Sequence, residues 1–289
     1  MRSKKLNIFV HAVFCLMVVA VILPLLGVVM ISVTDAEEVR QFGYRFLPEH
    51  FSLDAYRLIF ANFMPVFKAM ALTVCTGAFS VGMGLMFCAA MAYGISSPGF
   101  AYKKIANTFI LIPMVVSGGL VPAYIVNTRL LGMGDSIWIY LIPGCSSWTI
   151  ILFRTFFMGI SSSLIESARI DGASELTVFA RIIMPLSKSI FAAQFCIGFL
   201  GSWNDFSKPL YYITNKNLYN IQYLLQNILK EASYLNELYK DNPAFAGKLL
   251  PEETIPYAMA VVSCIPVVLM FPHMQKYFSK GFTVGSVKG

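Results

Sequence analysis

SSSLIESARIDGASELTVFARIIMPLSK, residues 161–188, is a polar, charged island set between apolar segments each long enough to cross a bilayer. It is the least membrane-like part of the middle of the chain, so it requires a partner other than lipid. Ser163 followed three residues later by Glu166 is a capping-box signal for a helix start. Gly172 suits the left-handed residue that follows a last helical turn. Ser174 then caps a second helix running towards Pro185, whose missing N–H stops or kinks it. The spacing predicts two short helices, joined at a glycine, lying across the face of the membrane.

Composition says what surrounds the island. Of 289 residues, 57% are hydrophobic and 13% charged, where globular proteins carry about 25% charged residues. A soluble enzyme is excluded and the membrane is the solvent. The net charge of +7 is scattered along loops rather than gathered on one face, which argues against nucleic acid as a partner. Cys15, Cys75, Cys88, Cys145, Cys196 and Cys264 fall in apolar runs without a Cys-x-x-Cys pair. They read as small apolar groups, with no metal site and no disulfide framework expected.

Six spans follow from hydropathy, at about Leu6–Val33, Ala69–Ile95, Ile105–Asn127, Ser136–Phe157, Ser189–Pro209 and Pro256–Phe278. The first follows Arg2, Lys4 and Lys5 as a signal peptide would, but its apolar run is long enough to span, so an uncleaved helix is expected. In the second span Gly77, Gly82, Gly84, Ala89, Ala90 and Ala92 permit close helix approach. The third, with Pro113, Gly118, Gly119 and Pro122, is expected to be bent or opened; either packing or a water-filled cavity would tolerate that. Pro143 and Gly144 interrupt the fourth. The stretch 51–56 is expected to start a short amphipathic helix with Ser52 as its cap, and Ile221, Leu224, Leu225, Ile228 and Leu229 recur at helical spacing in the long loop before the last span.

Basic residues beside the spans orient the chain. With both termini cytoplasmic, twelve of the 22 Lys and Arg residues lie inside with only Glu166, Asp171 and Glu175 as acids. The island then falls in the cytoplasm.

Its spacing is specific. Glu166-Ser167-Ala168, Gly172 four residues after Ala168, and Ile182-x-Met184-Pro185 resemble the EAA loop of permeases in ATP-binding-cassette importers, with Ser167 in place of Ala and Met184 in place of Leu. FSLDAY (51–56), AAMAYG (89–94), SGGLVPAY (117–124), LLGMGDS (130–136), FRTFF (153–157), GSWNDF (201–206) and KGFTVGSVKG (280–289) extend the resemblance over essentially the whole chain. It is to sugar permeases of the maltose type, nearest the LplC-type branch for complex oligosaccharides.

The resemblance implies an all-α polytopic membrane protein with six transmembrane helices and type I importer architecture. An N-terminal helix and external loop (1–68) would precede a core permease domain (69–289). It implies a multi-pass protein of the cell membrane, in contact with lipid, working with a second homologous permease, an ATPase dimer and an extracellular solute-binding protein. Glu166, Ser167, Ala168, Asp171, Gly172 and Pro185 would couple to the ATPase. In the tail from 279, Gly285, Lys288 and Gly289 would reach it too. No Gly-x-x-x-x-Gly-Lys-Ser/Thr phosphate cradle occurs, so ATP and Mg would be bound by the partner chain, with no cofactor in this one. No acidic pair within a span suggests ion coupling, which disfavours a stand-alone secondary carrier. A non-sugar solute is the other alternative. Trp203, Asn204 and Asp205 are the local candidates for the translocation path, offering a flat apolar face and hydrogen-bonding groups for a sugar; Tyr211 and Tyr212 read rather as interfacial anchors.

Overall fold

The computed structural model describes residues 4–61, 63–97, 99–241 and 253–281. Among them there is no strand, only one isolated antiparallel bridge, Thr34 to Phe51. The helices are α1 (Lys4–Ser32), α2 (Ala36–Phe42), α3 (Asp54–Ala61), α4 (Phe63–Ser96), α5 (Lys103–Val115), α6 (Leu120–Ile125), α7 (Trp138–Leu141), α8 (Ser147–Met158), α9 (Ser162–Ile170), α10 (Glu175–Val178), α11 (Met184–Leu186), α12 (Lys188–Trp203), α13 (Ser207–Tyr212), α14 (Ile221–Asp241) and α15 (Ile255–Gly281). π-Helical turns fill Val126–Leu130 and Phe179–Ile183.

Three helices are long and apolar enough to cross a membrane unbroken, over Asn7–Ser32, Phe63–Ser96 and Ile255–Pro272. These are the first, second and sixth expected spans. The third, fourth and fifth are not continuous helices. α5 and the helix beginning at α6 meet at 110°, where Gly119 takes φ +82° after two residues that no backbone helix bond holds. The fourth expected span is split between α7 and α8 at Pro143–Gly144, and α8, with 12 residues, is only about 18 Å long. The fifth is continuous only as α12, to Trp203, and is interrupted at 204–206 before α13; the 76° bend between α11 and α12 falls just ahead of it, at Ser187.

Two compact units make up the chain, residues 1–68 with 224–266, and residues 69–223 with 267–289. In the first, Asp35 caps α2 by accepting the Glu37 N–H at 2.9 Å. The buried Glu38 carboxylate accepts the N–H groups of Glu49 at 2.9 Å and His50 at 2.8 Å. Those bonds favour its charged form, so its pKa lies below the ordinary carboxylate value. Ser52 accepts the Asp54 N–H at 3.1 Å, so the expected helix there begins two residues later than the hydroxyl that primes it.

The second unit is organised by one stripe of α4. Ser80, Gly84 and Cys88 recur every four residues and so share a face. Opposite them runs the non-helical backbone 142–146. The Ser80 hydroxyl donates to the Ile142 carbonyl at 2.7 Å, and the Cys88 thiol points at the Ser146 carbonyl at 3.9 Å. Between the two, a Cβ added to Gly84 would stand 2.5 Å from the Gly144 carbonyl oxygen. The broken span is tolerated because α4 supplies donors and clears room for its carbonyls. On a neighbouring face Gly77 and Gly198 let α4 and α12 close on each other, through Ser202 and Val81. Gly82 meets nothing within 4 Å, so it is not part of this packing. Ala89 and Ala92 are fully buried, in a core that continues through Phe153, Phe157, Val178, Phe179 and Ile183.

Candidate functional site

Residues 161–188 form an elbow. α9 begins after Ser161, whose side chain makes no cap bond and instead meets the Ser163 hydroxyl at 2.7 Å. Ser163 lies inside the first turn, and the Glu166 side chain makes no hydrogen bond among the described residues. The expected capping box is therefore absent: the helix is entered two residues earlier, from Ser161, leaving Glu166 exposed and uncommitted. α9 ends as anticipated. Gly172 adopts φ +80°, its N–H donating to the Arg169 carbonyl at 3.0 Å while that of Ala173 donates to the Ala168 carbonyl at 2.9 Å. These are the paired bonds of a Schellman ending, which a residue with a Cβ enters only with strain. Ser174 caps α10 by accepting the Thr177 N–H at 3.2 Å. Pro185 kinks rather than stops the second arm: the five-residue π turn lies just before it, where the ring displaces a normal helical bond. The turn at Ser187 follows.

A charged clamp holds the elbow's angle. Arg169 Nε donates to Glu175 Oε1 at 2.8 Å across the glycine turn, and the Tyr93 hydroxyl of α4 donates to Glu175 Oε2 at 2.6 Å. Arg169 also reaches the Ser97 hydroxyl at 3.4 Å. The Tyr93 ring rests on Phe179, centroids 5.4 Å apart. The Arg169 guanidinium, and secondarily the Tyr93 hydroxyl, hold the Glu175 carboxyl below its usual range. One carboxylate thus ties α9, α10 and the end of α4 together. A cavity of about 230 Å³ lies beside this clamp, lined by Ser97, Ile165, Glu166 and Arg169 among others. Neither Arg169 nor Glu175 stood out in the sequence as a functional residue; the signal was an opposite-charge pair straddling Gly172.

Outward from the clamp the elbow presents apolar side chains. Ile170 is 86% exposed and Leu176 76%, on either side of the turn, and Leu164 is exposed too. Ser167 and Asp171 are exposed, Ala168 half-buried, and Pro185 exposed.

The three path candidates are placed differently from one another. Trp203 is 3% exposed, its ring packed on Phe199 with centroids 6.1 Å apart, so it offers no open face. Asn204 ends α12 and accepts from the Gln222 amide at 3.0 Å. Asp205 Oδ1 accepts the N–H groups of Ser207 and Lys208 at 3.0 and 3.2 Å, and Oδ2 faces the Lys208 ammonium at 3.6 Å. Of the three, Asp205 lines a cavity of about 560 Å³ between α4, the 142–146 break, α8 and α12, whose lining includes neither Trp203 nor Asn204. The tryptophan on its wall is Trp148. Tyr212 stacks on Tyr124, centroids 5.6 Å apart, and its hydroxyl accepts from the Asn127 amide at 3.2 Å. Gly285, Lys288 and Gly289 lie outside the described residues.

Set against known proteins, residues 84–284 match the model of the binding-protein-dependent transport system inner membrane component family. The chain belongs to that family. It is 31% identical over 290 residues to the polygalacturonan/rhamnogalacturonan transport system permease protein YtcP of Bacillus subtilis, the match covering 100% of both chains. It is 32% identical over 271 residues to protein LplC of the same organism, covering 93% of this chain and 90% of that one. Among solved structures it superposes on a chain of a bacterial ABC transporter involved in the import of the acidic polysaccharide alginate, with TM-score 0.82 and 26% identity, over 96% of this chain and 98% of that one. The all-α architecture is therefore that of an ABC importer permease, and the chain is a membrane-embedded transport subunit.

Proposed function

We propose that this chain is one of two permease subunits in an importer of oligosaccharides, driven by a separate ATPase that binds the elbow at residues 161–188. The observation that carries the reading is the elbow itself. Two solvent-suited helices are locked at a fixed angle by the Schellman turn and the Glu175 clamp, while Ile170 and Leu176 stand almost wholly exposed. Apolar side chains in a polar, non-membrane segment are surface awaiting cover. Glu166, Ser167, Ala168, Asp171 and Gly172 lie on the same elbow, with Pro185 kinking its second arm. Closure of the ATPase dimer, which would hold ATP and Mg, pushes the elbow as a rigid lever against the end of α4 and switches the cavity's access. The dependence on a solute-binding protein is drawn from the family, and the sugar class from the polygalacturonan/rhamnogalacturonan permease relative and the alginate importer. The orientation has both termini cytoplasmic, by the basic residues beside the spans, and the tail with Gly285, Lys288 and Gly289 adds a second ATPase contact.

Co-purification of the subunits with Ile170→Asp and Leu176→Asp variants tests this. Loss of the ATPase from a complex that keeps its second permease is expected; retention of the ATPase with undiminished uptake overturns the docking reading.

A further inference from the structure

The cavity beside the 142–146 break has a lining that the coupling role does not use. Ser146, Trp148 and Thr149 enter it from the start of α8, and Gln194 and Ser202 from α12. None of these five side chains hydrogen-bonds to another described residue. All five are exposed or half-buried along the cavity, so their donors and acceptors are open to it, and in an apolar span such groups gain from a polar visitor; five converging on one space equip it for one. At about 560 Å³ the space falls in the range of small-molecule sites, about 300–1,000 Å³.

We propose that this cavity binds one pyranose ring of the oligosaccharide during translocation, stacked on Trp148 and held through its hydroxyls by Gln194 and Thr149. The inference rests on the oligosaccharide reading and places a substrate contact in this subunit. Trp148 is 60% exposed, giving a flat apolar face for the C–H side of a ring and an N–H for an oxygen. The Gln194 amide and the Thr149 hydroxyl each donate and accept, as sugar hydroxyls do. The full charges on the wall, Asp205 and Lys208, face each other at 3.6 Å, and Asp205 Oδ1 already serves two backbone N–H groups. That leaves the neutral groups to do the recognising, so the site reads the hydroxyl-bearing face of the ring whatever its other substituents. Trp203, buried on Phe199, is packing for the wall behind it.

The test uses the assembled complex in proteoliposomes, with oligogalacturonides and oligoalginates delivered by its solute-binding protein. Trp148→Ala and Gln194→Ala are expected to raise KM for import by about tenfold, the order of an aromatic stacking or buried polar contact, while Trp148→Phe keeps most of the affinity. If the wild-type complex imports neither sugar, the oligosaccharide reading and this inference fall together. If it imports them and the variants keep the wild-type KM, or lose only maximal rate, the inference alone falls. Loss of the second permease on purification of Trp148→Ala would make the indole an assembly contact and overturn it as well.

Discussion

The elbow at 161–188 and the break at 142–146 both depart from continuous helix, and they are stabilised by opposite means. The central turns of the elbow are satisfied from within the segment, by the Schellman bonds at Gly172, the Ser174 cap, and a π turn that accommodates Pro185. The break has less of its own: the Ile150 N–H donates to the Ser146 carbonyl at 3.0 Å, but no backbone N–H among the described residues is seen to reach the Ile142 carbonyl. Its Ile142 and Ser146 carbonyls are reached by Ser80 and Cys88, 62 and 58 residues away in the chain. A self-sufficient segment can move as one piece, which suits a lever. A segment dependent on a neighbouring helix stays where that helix puts it, which suits the wall of a cavity.

The largest effect should come from removing the room that the break depends on. Gly84→Val places a Cβ 2.5 Å from a backbone oxygen, which no rotamer change relieves. Overpacking of this kind costs about 1–3 kcal/mol, with further loss from shifting α4. A lowered melting temperature of the purified complex, and no transport, are expected. Ser80→Ala removes the donor to the Ile142 carbonyl without adding volume. Leaving a buried carbonyl unpaired costs about 1–3 kcal/mol, and Ser80→Thr, which keeps the hydroxyl, should recover much of it. If Ser80→Ala melts with the wild type, the break holds itself without α4, as the elbow does.

That contrast also explains what could be read from the amino acids alone. Gly172 and Ser174 act on residues within five positions of themselves, so their roles were visible in the order of residues. The EAA-like spacing was visible for the same reason, and the family membership follows from it. Pro143 and Gly144 announced a break, but which helix would satisfy the freed carbonyls depends on packing at long range. Gly82 and Gly84 look alike in sequence, and only Gly84 faces Gly144. Trp203 and Trp148 differ likewise: both are indoles near helix ends, and burial against Phe199 decides that the first is core. The Ser163 capping box failed for a local reason, since Ser161 offers the chain an earlier start and the helix takes it.

The Glu175 clamp lies between these two cases, one bond local and one long-range. Its groups are partly exposed, so the Arg169–Glu175 ion pair contributes less than about 1 kcal/mol, and coupling rather than stability is the informative readout. Glu175→Gln should leave the complex assembled while raising the ATP hydrolysed per sugar imported by severalfold. The swap Arg169→Glu with Glu175→Arg should restore part of the loss. Because the Arg169 guanidinium lowers the Glu175 pKa, the clamp is fully present above the unfolded carboxylate pKa, about 4.3, and weakens only as pH falls through the lower folded value. Coupling that failed between pH 6 and 8 would point to some other group.

The smallest effect separates two serines eleven positions apart. Ser174 accepts the Thr177 N–H as the cap of α10, and Ser174→Ala should cost about 1 kcal/mol, seen as a small drop in melting temperature and in coupling. Ser163 sits in the first turn of α9, bonded to another exposed hydroxyl, so Ser163→Ala should lie within about 0.5 kcal/mol of the wild type. Sequence pattern alone ranks Ser163 the stronger cap, because Glu166 completes its box. The geometry reverses that order, since a cap is defined by where the backbone leaves helical angles and not by which residue could bond if it did. Equal effects at the two positions would mean that α9 starts at Ser163 in the assembled complex, committing Glu166 to its capping box and withdrawing it from the exposed face on which the ATPase contact relies.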